Sequence, residues 1–265
     1  MTVTTLWGPA GSPGRTSLSI ALATEYALQG KNVILLDCDS YGGAIATSLD
    51  VFDEVSGVLA LCRRASKSEL SSEVLHSQLH PITTPQGQLR LLSGLSNTAR
   101  WPELSALRLR EVLELCAESS DVVIVDVGFN LDEDEEVSSD IFAPRRNAAT
   151  IAALQASDRI IAIARADVVG LSRFLRTYSQ LRELVPETPI HVVANRVRAR
   201  ALGVGPAAAV RGTLSRFGGI TEVTIIPEDA AAFDQAMLES RPLALVARHS
   251  PARKAIRGLM EQAAG

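Results

Sequence analysis

The chain has 265 residues, 46% hydrophobic and 21% charged, with a net charge of −4, the composition of an ordinary soluble globular protein with a real core. This balance excludes a molecule that is basic overall and binds nucleic acid by bulk attraction. No apolar run nears the ~18 residues of a membrane span, no charged-then-apolar leader opens the chain, and Cys38, Cys62 and Cys116 have neither metal-ligand nor disulfide spacing, so a reducing, cytoplasmic location is expected.

Short apolar runs alternate with helical patterns, as in parallel βαβ units. TVTTLW at Thr2–Trp7 predicts a first strand, followed by a Gly/Pro-rich loop, GPAGSPGRTS, at Gly8–Ser17. The next stretch, SLSIALATEYALQG, predicts a helix: Leu18, Leu22, Ala23, Tyr26 and Ala27 share one face, and Gly30 ends it. Asn32–Leu36 predicts a buried strand ending at Asp37, and a mixed helical region is expected from Gly43 to about Leu79. Leu89–Leu92 predicts a strand, and a helix follows from about Glu103 to Glu118. Asp121–Val125 is apolar throughout after its first residue and reads as the central strand. Strands are also expected at Arg159–Ile163, Ile190–Ala194 and Glu222–Ile226, with a helix from about Gly170 to Leu184. Ser250 and Pro251 suit the N-cap and first position of a last helix. The expectation is a single α/β domain over residues 1–265, with a doubly wound, mostly parallel sheet of about seven strands and helices on both faces.

The loop between the first strand and helix carries the first chemical signal. A helix N-terminus offers free N–H groups and a positive dipole end to an anion. Gly11 and Gly14 let the backbone curl around phosphate oxygens, and Thr16 is placed to set its hydroxyl on Mg²⁺. Asp37, Asp39 and Asp126 stand at the carboxyl ends of predicted strands, where open parallel sheets bind ligands. Three such carboxylates beside a phosphate loop suit a Mg²⁺–nucleotide site. A plain Gly/Pro turn followed by helix-capping carboxylates is the competing reading. His76 and His80 have i, i+4 spacing but no further ligand at metal-binding distance in sequence. A dinucleotide-binding fold is excluded, because no GxGxxG is followed about 20 residues later by an acidic partner.

With these segments in place the chain resembles the ParA/MinD family of P-loop ATPases. Gly11–Ser17 is similar to that family's phosphate loop, Leu35–Gly43 (LLDCDSYGG) to its LLIDxDxQGG segment, and Val122–Gly128 to its Walker B strand. VVANR at Val192–Arg196 resembles its VxNR segment, and Ile225–Leu243 the IPxD stretch that closes the base pocket. The resemblance implies that Gly11, Ser12, Gly14, Arg15, Thr16, Ser17, Asn195, Arg196 and Pro227 bind ATP or ADP. It implies Thr16, Asp37 and Asp126 at Mg²⁺, Asp39 orienting the attacking water, and Arg15 as the catalytic cation. It further implies a homodimer that switches with nucleotide and positions a cargo such as a chromosome, division site or pilus through a protein partner.

The departures from the family pattern gather at the terminal phosphate. Arg15 replaces the loop lysine, and its planar guanidinium does not reproduce a compact ammonium. Ala10 stands where the family has a second, partner-reaching lysine; Pro13 lacks an N–H; Ser12 replaces a glycine and stiffens the turn. Losing one preorganised donor typically costs about 3–4 kcal/mol of catalysis, so weak or absent hydrolysis is expected, with Arg15, Arg165, Arg145 and Arg146 as candidate compensating cations.

The alternatives are a pseudo-ATPase scaffold that no longer cycles nucleotide, and a partition protein that binds DNA nonspecifically. The latter draws on the region from Ile190 onward, which carries +4 against −8 for the rest. The segment Asn130–Thr150, with six carboxylates between Asp132 and Asp140, reads as a solvated loop or as a partner-facing switch of its own charge pattern; it resembles CpaE-like pilus ATPases, which usually carry an added N-terminal receiver-like domain. The C-terminal helix, with Ile256, Leu259 and Met260 on one face, is expected to pack on the core rather than bind a membrane.

Overall fold

In the computed structural model, which describes residues 1–52, 55–132 and 144–262, one sheet of eight strands organises the chain. The strands are β1 (Thr2–Trp7), β2 (Asn32–Cys38), β3 (Leu79–Ile82), β4 (Gln88–Leu92), β5 (Val122–Val127), β6 (Arg159–Arg165), β7 (Ile190–Val197) and β8 (Val223–Pro227). Their order is β3-β4-β2-β5-β1-β6-β7-β8, parallel except where β3 pairs antiparallel with β4. The helices are α1 (Arg15–Leu28), α2 (Ile45–Ser48), α3 (Gly57–Ala65), α4 (Ser72–Gln78), α5 (Ala106–Glu118) and α6 (Ala148–Gln155). There follow α7 (Val168–Leu184), α8 (Ala199–Leu202), α9 (Pro206–Gly218), α10 (Ala230–Leu238), α11 (Leu243–Val246) and α12 (Pro251–Gln262).

Alternation along each strand splits the core in two. Leu6, Leu35, Ile124, Ile163 and Val193 face one side, where α1, α2, α10, α11 and α12 cover them. Ile34, Leu36, Val123, Val125 and Ala162 face the other, under α3, α5, α6, α7 and α9. Every residue of β5 is buried because β5 lies between β2 and β1 with helices on both faces. The doubly wound expectation holds. Ala252, Ile256, Leu259 and Met260 of α12 are buried in the first of these cores, and no helix among the described residues is long and apolar enough to cross a membrane.

Three features differ from the sequence expectation. The region read as helical to Leu79 ends in the short edge strand β3, whose four residues are too few to display a period. Pro81 is tolerated there because an edge strand leaves one side of its backbone unpaired. The helix expected from Glu103 begins at Ala106, after a 3-10 turn at Thr98–Glu103 that contains Pro102. The unassigned stretch after β7 contains α9, entered through Pro206 and closed by Gly219 at φ 64°; it buries only Val210 and Leu214, so its periodic signal is weak.

Candidate nucleotide site

The central position of β1, between β5 and β6, delivers the Gly8–Gly14 loop to the carboxyl edge of the sheet. Gly11 (φ 109°), Ser12 (φ 52°) and Gly14 (φ 95°) all adopt left-handed conformations. Such left-handed backbone is the kind that forms anion-binding concavities, with Pro13 contributing no N–H of its own. At the N-cap of α1, Gly14 supplies no capping side chain, and the first turn carries no carboxylate. The first N–H groups of a 14-residue helix are therefore left to an anion from outside. The donor set of the loop fits a phosphate chain.

Arg15 neither projects outward nor lies free. Its Nη1 donates to the carbonyl of Gly8 at 2.7 Å, and Nη2 lies 3.4 Å from Asp39 Oδ2. The guanidinium thus closes the base of the loop and neutralises Asp39. Asp126, at the end of β5, is fully buried and accepts from Thr16 Oγ1 at 2.6 Å and Ser19 Oγ at 3.1 Å. Burial pushes its carboxyl up to about 6, against the lowering effect of the Thr16 bond and the Arg15 charge. Asp37 is enclosed further: burial, then the Asp126 charge, raise it to about 8. It accepts from the backbone N–H of Asp39 (3.1 Å) and Ile45 (3.3 Å), and it fills the space that a side chain at Gly43 or Gly94 would take. Asp37 and Asp126 stand inside β2 and β5 rather than after them, in register with each other. Among the described residues no three His, Cys, Asp or Glu side chains converge as metal ligands.

On the other side of the loop lies a cavity of about 130 Å³. Gly14, Ser17, Asn195, Arg196 and Pro227, five of the residues singled out in the sequence, line it together with Phe233, Ala230 and the acidic residues Glu228, Asp229 and Asp234. Arg196 sits at φ 58° in an irregularity of the β7–β8 ladder, which turns the chain around the cavity mouth. Asn195 Nδ2 donates to the Pro13 carbonyl at 2.7 Å, so it tethers the loop. Gly14 is required for that tether, since a Cβ there would lie 2.5 Å from Asn195 Nδ2.

Some residues of the site carry no sequence signal. Tyr41, two residues beyond Asp39, is clamped to the segment after β5: its OH is 2.8 Å from Asn147 Oδ1, its ring lies 4.7 Å from that of Phe129, and the Arg146 guanidinium sits 4.2 Å over its face. Arg146, a candidate compensating cation, is thereby committed to the Tyr41 ring, while residues 133–143 of the acidic segment lie outside the described residues. Arg165 reaches the rim of the loop, 3.5 Å from the Gly11 carbonyl, but its Nε is paired with Asp167 at 2.6 Å. Arg173 of α7, unremarkable in sequence, donates to the Ala10 carbonyl at 3.3 Å.

Comparison with solved structures agrees with the fold. A ParA family ATPase from Chlorobium tepidum superposes with a TM-score of 0.77 at 16% identity, with 98% of each chain covered. The septum site-determining protein MinD from Pyrococcus horikoshii, complexed with Mg-ADP, gives 0.74 at 17% identity, covering 99% of this chain and 95% of that one. A Borrelia burgdorferi protein bound to AMPPNP gives 0.68 at 13% identity, with 99% of both chains covered. No curated protein matches by sequence. The model of the CobQ/CobB/MinD/ParA nucleotide binding domain matches residues 5–240, and the chain belongs to that family.

Proposed function

We propose that this chain is a nucleotide-binding switch protein, a single domain over residues 1–265 that takes Mg-ATP and ADP, dimerises, and positions a cellular cargo with weak or absent hydrolysis. The observation that carries the reading is the continuity of two sites. The uncapped N-terminus of α1 adjoins, through Gly14 and Ser17, a cavity of about 130 Å³ lined by Asn195, Pro227 and Phe233. One end suits phosphates and the other a planar base.

Each residue then has a physical task. The N–H groups of Gly14, Arg15, Thr16 and Ser17 bind phosphate oxygens, and Asn195 with Pro227 holds the base. Mg²⁺, when bound, would neutralise charge on the phosphates, and Thr16 with Asp126 would hold it through a hydroxyl and a carboxylate. Asp37 spends its acceptor capacity on the backbone after β2 and so sets the position of Asp39. Asp39 would orient water. Its pairing with Arg15 opposes that role, because both groups must exchange partners before either acts on phosphate or water. The same pair supports the second reading, an interaction scaffold that no longer turns over.

A fluorescent ATP analogue titrated with Mg²⁺ tests the reading. Saturable binding below millimolar concentration is expected; no binding at millimolar concentration overturns it. Cargo and partner enter by family: the structural relatives include a MinC:MinD complex from Aquifex aeolicus, and we infer a protein partner of comparable role here.

A further inference from the structure

We propose that Arg173 of α7 is a specificity-determining residue that recognises the terminal phosphate of a nucleoside triphosphate and so separates ATP from ADP. The inference rests on the nucleotide reading above and adds to it a residue that lies outside the phosphate loop.

Three guanidinium groups surround the loop, and two are already committed. Arg15 is held by the Gly8 carbonyl and Asp39 at the loop's base. Arg165 is ion-paired with Asp167 at 2.6 Å. Arg173 has one bond, Nη1 to the Ala10 carbonyl at 3.3 Å, and no carboxylate partner among the described residues. A guanidinium carries five N–H donors in a rigid fork, so most of the donor capacity of Arg173 remains unused. The side chain is exposed, yet its guanidinium lies over the loop at Ala10 and Gly11. Gly11 permits this: a Cβ at that position would lie 2.3 Å from Arg173 Nη1.

The polarity of the site fixes which phosphate lies nearest. The base cavity adjoins the loop at Gly14 and Ser17. Arg173 meets it at the opposite end, at Ala10 and Gly11. A phosphate chain that starts from the base cavity and follows the loop has its far end beneath Arg173. A diphosphate stops short of that end. Forked donors aimed at the last phosphate favour the triphosphate and give little to the diphosphate.

The test measures dissociation constants for matched fluorescent ATP and ADP analogues with Mg²⁺, in wild type, Arg173→Ala and Arg173→Lys. Arg173→Ala is expected to weaken triphosphate binding by about ten-fold or more while leaving diphosphate binding unchanged, and Arg173→Lys to recover part of the difference. If Arg173→Ala weakens both analogues equally, the residue only buttresses the loop and the proposal is overturned; unchanged affinity for both overturns it as well. A wild type that binds neither analogue sinks the nucleotide reading first, and this inference with it.

Discussion

Arg15 and Asp39 form a nearly buried ion pair at the base of the phosphate loop, 3.4 Å apart with 12% and 9% of their side chains exposed. The cation that would meet phosphate and the carboxylate that would orient water therefore neutralise each other. The second arm of Arg15 is anchored on the Gly8 carbonyl. A lysine at this position has one compact charge and no fork with which to span Gly8 and Asp39 at once. Arg15→Lys is expected to raise ATP turnover above wild type by about ten-fold or more, a part of the roughly 10²–10³ that one fully preorganised donor contributes. Steady-state phosphate release checks this; a wild type that turns over while Arg15→Lys does not would make Arg15 an adapted catalytic residue.

Thr16 donates to Asp126 at 2.6 Å, and the two share one side of the helix N-terminus. Under the proposed function, that hydroxyl and buried carboxylate would hold one divalent cation, completed by phosphate oxygens and water. Thr16→Ala removes the hydroxyl and leaves Asp126 with Ser19 alone. Wild type is expected to bind the ATP analogue more tightly with Mg²⁺ than with chelator present. The variant is expected to bind equally in both. An unchanged Mg²⁺ dependence would move the metal away from Thr16.

Much of this site is readable from the sequence, and the limits are physical. Strand-ending carboxylates such as Asp37 and Asp126 stand out because an ionisable residue that closes an apolar run has few structural uses. Gly14, Asn195 and Pro227 stand out through their segments, and the structure brings them to one cavity. Arg173 does not stand out, because an arginine on a helix resembles any solvated charge until the loop it covers is known. Phe233 is hidden for the same reason: within AAAFDQAM it reads as an ordinary apolar helix position. Tyr41 and Arg146 meet across 105 positions of chain, and no local pattern announces such a contact. β3 escapes notice because four residues around a proline display neither alternation nor strong propensity.

Gly14 and Gly30 separate backbone strain from a specific clash. Both are left-handed, at φ 95° and 84°, so a Cβ is strained at either. At Gly30 nothing lies within 4 Å, whereas at Gly14 the Cβ would meet Asn195 Nδ2 at 2.5 Å. Gly30→Ala is expected to cost about 1 kcal/mol with nucleotide affinity intact. Gly14→Ala is expected to cost more, because it also breaks the Asn195–Pro13 tether, and to abolish binding of the analogue. Denaturant unfolding and the titration, run on both variants, give the comparison. Equal losses of stability in the two would mean that the tether contributes nothing.

Arg253 and Glu25 join α12 to α1 through a pair in which Glu25 is 4% exposed and Arg253 16%. Glu25 also accepts from Arg253 Nη2 at 3.3 Å, so the fork is bidentate. Removing the cation strands a buried carboxylate, and Arg253→Ala is expected to cost about 3 kcal/mol or more. Lys254 and Arg257, exposed on the same helix, pack against nothing comparable and are expected to change stability by less than about 0.5 kcal/mol when replaced by alanine. The difference matters for any test of DNA binding by the cleft between Arg248 and Arg257. There a Lys254→Ala/Arg257→Ala double variant removes charge without unfolding α12, whereas Arg253→Ala confounds the two. Binding driven by phosphate contacts would fall steeply with salt and weaken in the double variant. Binding that ignores both salt and these two residues would rule the cleft out as a DNA surface. An Arg253→Ala protein as stable as wild type would mean that the Arg253–Glu25 pair contributes nothing to stability.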